Sequence, residues 1–114
     1  MVDWIAKNWG GEKVIVNNDK YCGKILYFMK DKKCSWHKHI VKQETFHLLE
    51  GQLLLKYGYS EDIEQAEEKL LEEGDVFEVP PGLCHQMLAL KDSKLLEVST
   101  THFEEDSVRM IKGD

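Results

Sequence analysis

The sequence contains little of what marks several common protein classes. It has two prolines, and its eight glycines form neither a repeat nor a flexible linker, so no composition change divides the chain. Its three cysteines, Cys22, Cys34 and Cys84, are odd in number and lack C-x-x-C spacing. This pattern argues against a disulfide framework and predicts reduced thiols in a cytoplasmic setting. Arg109 is the only arginine, which excludes an arginine-rich phosphate or nucleic-acid surface.

Charge and hydropathy narrow the class further. Fifteen basic and twenty-one acidic residues give a net charge of −6, which argues against nucleic acid and anionic membranes as partners. No apolar run approaches the roughly 18 residues of a membrane-spanning helix. Apolar residues make up 42% of the 114 residues, which is enough to bury a core. We therefore expect one soluble, acidic, cytoplasmic domain over residues 1–114.

Short β-like runs separated by turn residues fill most of the chain and predict an all-β sandwich or barrel. The predicted strands are residues 13–16, 24–30, 34–40, 45–49, 52–57, 76–79, 84–90 and 94–100. One stretch departs from this pattern, because Ser60 is a suitable helix N-cap and apolar residues after it fall on one helical face. We expect residues 61–69 to form a short amphipathic helix or helical loop inserted into the β structure.

The first pattern that carries chemistry is His37-Lys38-His39, followed by Glu44 and then by Gly51. Residues i and i+2 of a strand point to the same face, so both histidines can reach one point. The four residues between His39 and Glu44 can turn the chain, so that the carboxylate opening the next strand faces the same cavity.

The second pattern is Gly74, Pro80, Gly82 and His85, with the spacing G-x5-P-x-G-x2-H. It brings a third imidazole from a strand much later in the sequence. Three imidazoles and one carboxylate that converge inside a barrel form a site for a divalent transition metal. The predicted ligands are His37, His39, Glu44 and His85. Their donor types permit Mn, Fe, Co, Ni or Zn.

Together the two patterns resemble the motifs of the cupin superfamily. The first cupin motif, G-x5-H-x-H-x3,4-E-x6-G, matches over residues 37–51, and the second, G-x5-P-x-G-x2-H-x3-N, matches over residues 74–85. Asp31 replaces the opening glycine of the first motif, and Ala89 replaces the final asparagine of the second. The resemblance implies a double-stranded β-helix, the cupin jelly-roll barrel. It also implies a homodimer and places the four predicted ligands on the metal-binding positions of the family.

Further residues resemble the phosphomannose-isomerase-type branch of the cupins. These are Trp9-Gly10 near the start, Lys24 on the strand before the first motif, and Glu105-Asp106-Ser107-Val108-Arg109 near the end. The branch includes sugar and sugar-phosphate isomerases. The resemblance therefore implies a small-molecule ligand of the carbohydrate class.

Other side chains have two interpretations. Glu97, in an otherwise apolar strand, lies either on a solvated face or in the cavity as a buried carboxylate with a raised pKa. Lys24 is either a surface lysine or a cavity cation for a substrate oxyanion. Strand alternation places His47 on the face opposite Glu44, at the surface or a dimer interface. We expect Cys84 to be a small buried residue and His102, outside both motifs, to be exposed.

Three functions are compatible with these residues. The leading hypothesis is a metal-dependent aldose–ketose isomerase, in which the metal acts as a Lewis acid and Glu97 moves a proton, with Lys24 as a second catalytic candidate. A ferrous dioxygenase-type cupin would use the same ligands for oxygen chemistry. A non-catalytic cupin that binds a sugar or a small acid is the third.

Overall fold

A computed structural model describes residues 3–114, and the chain in this range folds into eleven strands and two short 3₁₀ turns. The strands are β1 (Asp3–Lys7), β2 (Gly10–Asn17), β3 (Cys22–Phe28), β4 (Trp36–His39), β5 (Glu44–Glu50), β6 (Leu53–Gly58), β7 (Glu67–Leu71), β8 (Val76–Val79), β9 (Cys84–Ala89), β10 (Ser93–Ser99) and β11 (Ser107–Ile111). The 3₁₀ turns are Ile63–Gln65 and Glu104–Asp106. The all-β prediction is confirmed.

Two antiparallel sheets form the jelly roll. The larger sheet has the strand order β1-β2-β3-β10-β5-β8, and the smaller has the order β11-β4-β9-β6-β7. Burial alternates residue by residue along β3 and through the first five residues of β5, because successive side chains point to opposite faces of a sheet. The inward side chains form one core between the sheets: Trp9, Leu26, Phe28, Cys34, Phe46, Leu48, Leu53, Leu55, Leu71, Val79, Leu83, Met87, Ala89 and Leu95.

The predicted helix over residues 61–69 is wrong apart from the 3₁₀ turn. Asp62, not Ser60, caps this turn by accepting a hydrogen bond from the backbone of Glu64. The chain then extends into β7, where Lys56 of β6 lies opposite Glu68 and where Leu71 enters the core. β7 pairs with β6 along one edge and buries Leu71, whereas an isolated nine-residue helix without a packed apolar face is only marginally stable. No helix within residues 3–114 has the length and apolarity needed to cross a membrane.

The backbone explains how the chain tolerates its departure from the first cupin motif. Asp31 stands at the position of the motif glycine and has a φ of 71°, the only positive φ among non-glycine residues in the described range. Aspartate is among the few residues that adopt this left-handed conformation. Its backbone N–H also donates to the carbonyl of Ala89, so the two departures from the motifs face each other across one hydrogen bond.

Candidate metal centre and ligand cavity

Three histidines meet at one end of the space between the sheets. His37 and His39 lie on β4, and His85 lies on β9 directly opposite His37 in the strand register. Each offers a ring nitrogen within 4.8 Å of those of the other two. Glu44, the first residue of β5, places Oε2 3.4 Å from His39 Nε2 and 3.3 Å from His85 Nε2. The structure therefore brings together all four side chains that the spacing selects.

Backbone carbonyls fix the orientation of two of these rings. Nδ1 of His37 lies 2.9 Å from the carbonyl oxygen of Ser35, and Nδ1 of His85 lies 3.0 Å from that of Leu83. Since a carbonyl only accepts, both contacts favour the tautomer with the proton on Nδ1 and a free lone pair on Nε2, and the Ser35 hydroxyl, 3.0 Å from His37 Nδ1, can donate or accept. This is the arrangement in which a histidine binds a metal while its second nitrogen donates a hydrogen bond to the protein.

The arrangement of these four side chains is more favourable with a bound cation than without one. Glu44 Oε2 is buried without a hydrogen-bond donor, and the imidazole nitrogens beside it present lone pairs. Burial lowers the pKa of His37 well below its usual value, and burial lowers that of His39 to about 4. Both rings are therefore neutral at physiological pH, as coordination requires. Buried acceptors without donors are unfavourable, and a divalent transition metal would supply positive charge beside Glu44 Oε2, the oxygen that has no hydrogen-bond partner.

A cavity of about 700 Å³ extends from this centre through the interior of the barrel. Its wall is mixed, with apolar side chains such as Trp9, Phe46 and Met87 beside charged ones. A volume of this size is typical of a small-molecule site, in which a few polar groups orient a ligand against apolar walls.

Glu97 and Lys24 both line this cavity. They are 5% and 4% exposed, and they lie opposite each other on β10 and β3. Lys24 Nζ donates to Glu12 Oε1 at 3.1 Å. Burial raises the pKa of Glu97, and the charge of Glu44 adds to this effect. The sequence allowed either a surface or a cavity position for Glu97 and for Lys24, and the structure places both in the cavity.

Lys42 is a cavity residue that sequence reasoning missed. It lies in the loop between His39 and Glu44 and is 2% exposed. Its Nζ forms an ion pair with Glu97 Oε2 at 2.7 Å and lies 3.6 Å from Glu44 Oε1. One buried ammonium therefore joins the candidate metal centre to the candidate base. The only signal in the sequence was its position two residues before Glu44, which in extended chain places both side chains on one side.

His102 is not exposed, contrary to the expectation from the sequence. Its side chain is 19% exposed and lines the cavity, with Nδ1 3.2 Å from Lys42 Nζ and Nε2 3.1 Å from Glu104 Oε2. The amide side chain of Asn17 causes this placement, because it bonds both the N–H and the carbonyl of His102. His47 is partly buried, on the β5 face opposite Glu44, as the alternation predicts.

Cys84 is fully buried, as expected. It lies beside His85 at the start of β9, where the first four residues are all buried. Burial raises the pKa of its thiol, so it stays protonated at neutral pH and is a poor nucleophile.

Solved structures share this fold at low sequence identity. KdgF from a Halomonas species is 17% identical, with a TM-score of 0.76, over 90% of this chain and 91% of that one. CapF, a capsular polysaccharide assembling protein from Staphylococcus aureus, is 15% identical, with a TM-score of 0.80, over 97% of this chain. Oxalate decarboxylase from Bacillus subtilis is 14% identical, with a TM-score of 0.80, over 96% of this chain.

These likenesses concern the fold. The matched region spans 34% of the CapF chain and 30% of the decarboxylase chain, so this chain corresponds to about a third of each. Among curated proteins, none matches the chain at a significant level. The family model of the cupin domain matches residues 25–99, a range that contains both motifs and all four converging side chains. The chain belongs to the cupin domain family.

Proposed function

We propose that the protein is a metal-dependent enzyme that interconverts the aldose and ketose forms of a sugar or sugar phosphate. The observation that carries the proposal is Glu97, a buried carboxylate with a raised pKa in the same cavity as the three-histidine centre. A residue of this kind beside a candidate metal centre suits the transfer of a proton between adjacent carbons.

In this proposal the metal ligands are His37, His39, Glu44 and His85. The metal, when bound, supplies a Lewis acid for the carbonyl oxygen of the substrate. Mn, Fe, Co, Ni and Zn all suit three imidazoles and a carboxylate. One structure of the Bacillus subtilis oxalate decarboxylase concerns its Mn(II) centres, which makes manganese the first metal to test.

The charged residues of the cavity have separable roles. Glu97 Oε atoms accept the proton from the substrate carbon, and the neighbouring Lys42 ammonium holds that carboxylate in place at 2.7 Å. Lys24 contacts Glu12 through one hydrogen bond, so its ammonium keeps donor capacity for a substrate oxygen. The apolar wall around Phe46 and Met87 limits water near the reacting carbons.

One observation favours a second candidate, a cupin that binds a sugar or small acid without turnover. Because Glu97 is already paired with Lys42, the ammonium stabilises its charged form and weakens it as a base. The same pair would serve a binding protein as a fixed polar contact. The isomerase and the binding protein therefore differ in whether Glu97 exchanges a proton with a carbon of the bound ligand.

We also propose that the protein is a homodimer in the cytoplasm. The outer face of the larger sheet carries exposed apolar side chains that include Leu49, Val76 and Val98, which are between 40% and 57% exposed. Cross-strand pairs join His47 to Val76 and to Leu96 along this face. A second copy would cover these side chains and bury His47 at the interface.

Isotope exchange tests the catalytic proposal. The Mn, Fe, Co and Zn forms are incubated separately with pentoses, hexoses and their phosphates in deuterated water. We expect conversion with deuterium at C1 or C2, complete loss on chelation, and a decrease of roughly 10²- to 10⁴-fold in Glu97→Gln. Glu78→Gln is the matched control, since Glu78 lies on an exposed edge strand opposite Thr45 and away from the cavity.

The alternatives give different results in the same experiment. Sugar binding without conversion or exchange in any metal form would replace the isomerase by the binding protein. Oxygen consumption in the ferrous form would replace it by a dioxygenase.

A further inference from the structure

The loop between β4 and β5 determines where several side chains of the site lie. It follows His39 and precedes Glu44, and it carries Lys42 into the cavity. Ile40, Val41 and Lys42 lie outside both strands. The N–H of Ile40 donates to the backbone carbonyl of Asp106 at 3.3 Å, and the sheet ladders do not include the N–H groups of Val41 and Lys42. Whatever binds these groups sets the relative positions of two proposed metal ligands and of the buried ammonium.

A single carboxylate binds all three. Asp106 Oδ1 accepts hydrogen bonds from the backbone N–H groups of Ile40 at 2.9 Å and Val41 at 2.8 Å. Asp106 Oδ2 accepts from the N–H of Lys42 at 2.9 Å. Burial would raise the pKa of Asp106, but these three donors hold it below its usual value. Three charge-assisted hydrogen bonds to consecutive residues fix the path of the loop backbone.

The residues beside Asp106 contact the same part of the site. Ser107 Oγ lies 3.3 Å from His39 Nδ1, and Ser107 is the register partner of His39 between β11 and β4. His102 Nδ1 lies 3.2 Å from Lys42 Nζ. The segment 102–107 thus contacts the ring of a proposed ligand, the backbone of the loop after it and the ammonium that the loop carries.

We infer that Asp106 is a positioning residue that assembles the metal centre and the Lys42–Glu97 pair. The inference rests on the proposed metal function. Asp106 does not line the cavity. It acts by fixing the chain between His39 and Glu44, so that both side chains and the Lys42 ammonium reach the cavity together. Partners of this kind outside the ligand shell typically change metal affinity by about 10- to 100-fold.

Two substitutions remove part or all of the hydrogen bonding by the Asp106 carboxylate. Asp106→Asn keeps one carbonyl oxygen, which can still accept from Ile40 and Val41, but it places an amide NH₂ against the N–H of Lys42. Asp106→Ala removes both acceptor oxygens and with them all three hydrogen bonds to the side chain. Asp75→Asn is the matched control, because Asp75 also accepts a backbone hydrogen bond, from Glu72 at 2.8 Å, in a turn outside the cavity lining.

The test is Co(II) binding by the full chain, measured by competition with a chelator, together with the visible spectrum of the Co(II) form. We expect affinity to fall by about 10- to 100-fold in Asp106→Ala and by less in Asp106→Asn, with an altered spectrum in both. Asp75→Asn should lower the melting temperature without changing the affinity or the spectrum. If Asp106→Ala does not fold, Asp106→Asn carries the comparison.

Affinity within twofold of the unaltered protein and an unchanged spectrum in the Asp106 variants would overturn the inference while leaving the metal function intact. Absence of Co(II) binding by the unaltered protein would instead overturn the metal function, and the positioning role with it.

Discussion

Removal of the Lys42 ammonium should destabilise the metal-free protein strongly. Its side chain is 2% exposed and lies between the carboxylates of Glu44 and Glu97, which are 1% and 6% exposed. Removing one partner of a buried ion pair leaves an uncompensated charge and typically costs about 3–5 kcal/mol. For Lys42→Met we therefore expect the free energy of unfolding at pH 8 to fall by about 3–5 kcal/mol, or the melting temperature by roughly 12–20 °C.

Urea unfolding of the metal-free protein, followed by tryptophan fluorescence, measures this loss. The matched control is Lys94→Met, because Lys94 pairs with Glu50 at 3.6 Å but both side chains are well exposed. An exposed pair contributes at most about 1 kcal/mol. The double variant Lys42→Met, Glu97→Leu should recover a large part of the loss, since an apolar replacement of both charges leaves only Glu44 unpaired.

The loss of unfolding free energy in Lys42→Met should also depend on pH. Burial raises the pKa of Glu97, and without Lys42 its carboxyl takes up a proton more readily, so the loss at pH 5 should be smaller than at pH 8. A loss below 1 kcal/mol at pH 8, equal to that of Lys94→Met, would refute the reasoning that this ammonium compensates two buried charges.

Three further predictions concern other parts of the chain. The pKa of His39 is lowered to about 4 in the folded state, so the unfolded chain takes up a proton first as the pH falls from about 6.5. His39 alone should therefore lower the stability of the metal-free protein by about 3 kcal/mol between pH 6.5 and 4, measured by urea titration, and His37, whose pKa is also lowered, should add to this loss. Mn(II) affinity should fall over the same range. Because Asp31 has a φ of 71°, Asp31→Ala should be less stable than Asp31→Gly by about 1 kcal/mol in thermal unfolding; equal stability would contradict a left-handed turn. Val98→Glu should convert the proposed dimer to a monomer in light scattering, and an unchanged mass would argue against an interface on the outer face.

Only part of the convergence was predictable from a local rule. The pleat of a strand places His37 and His39 on one side, and the resemblance to the cupin motifs implies that Glu44 and His85 join them. Spacing alone left Glu97 undecided. Its face depends on which side of β10 turns inward, and that is fixed by pairing with β3 and β5, which lie far away in sequence.

The parts that the sequence did not predict depend on long-range contacts. Lys42 and Asp106 are ordinary surface residues by composition, and their burial follows from bonds across 64 residues between the β4–β5 loop and the segment before β11. The extended β7 has the same explanation. Its charged sequence favours a helix locally, but pairing with β6 overrides that preference.

We propose that one divalent metal binds between the two sheets, and the metal content of the protein and of two histidine variants tests this. Elemental analysis after loading with Mn(II) and desalting compares the unaltered chain with His85→Ala and His47→Ala. His85 is 1% exposed and faces Glu44, whereas His47 lies on the opposite face of β5. We expect one ion per chain in the unaltered protein and in His47→Ala, and none in a folded His85→Ala. Full occupancy in His85→Ala, or its loss in His47→Ala, would contradict the proposal.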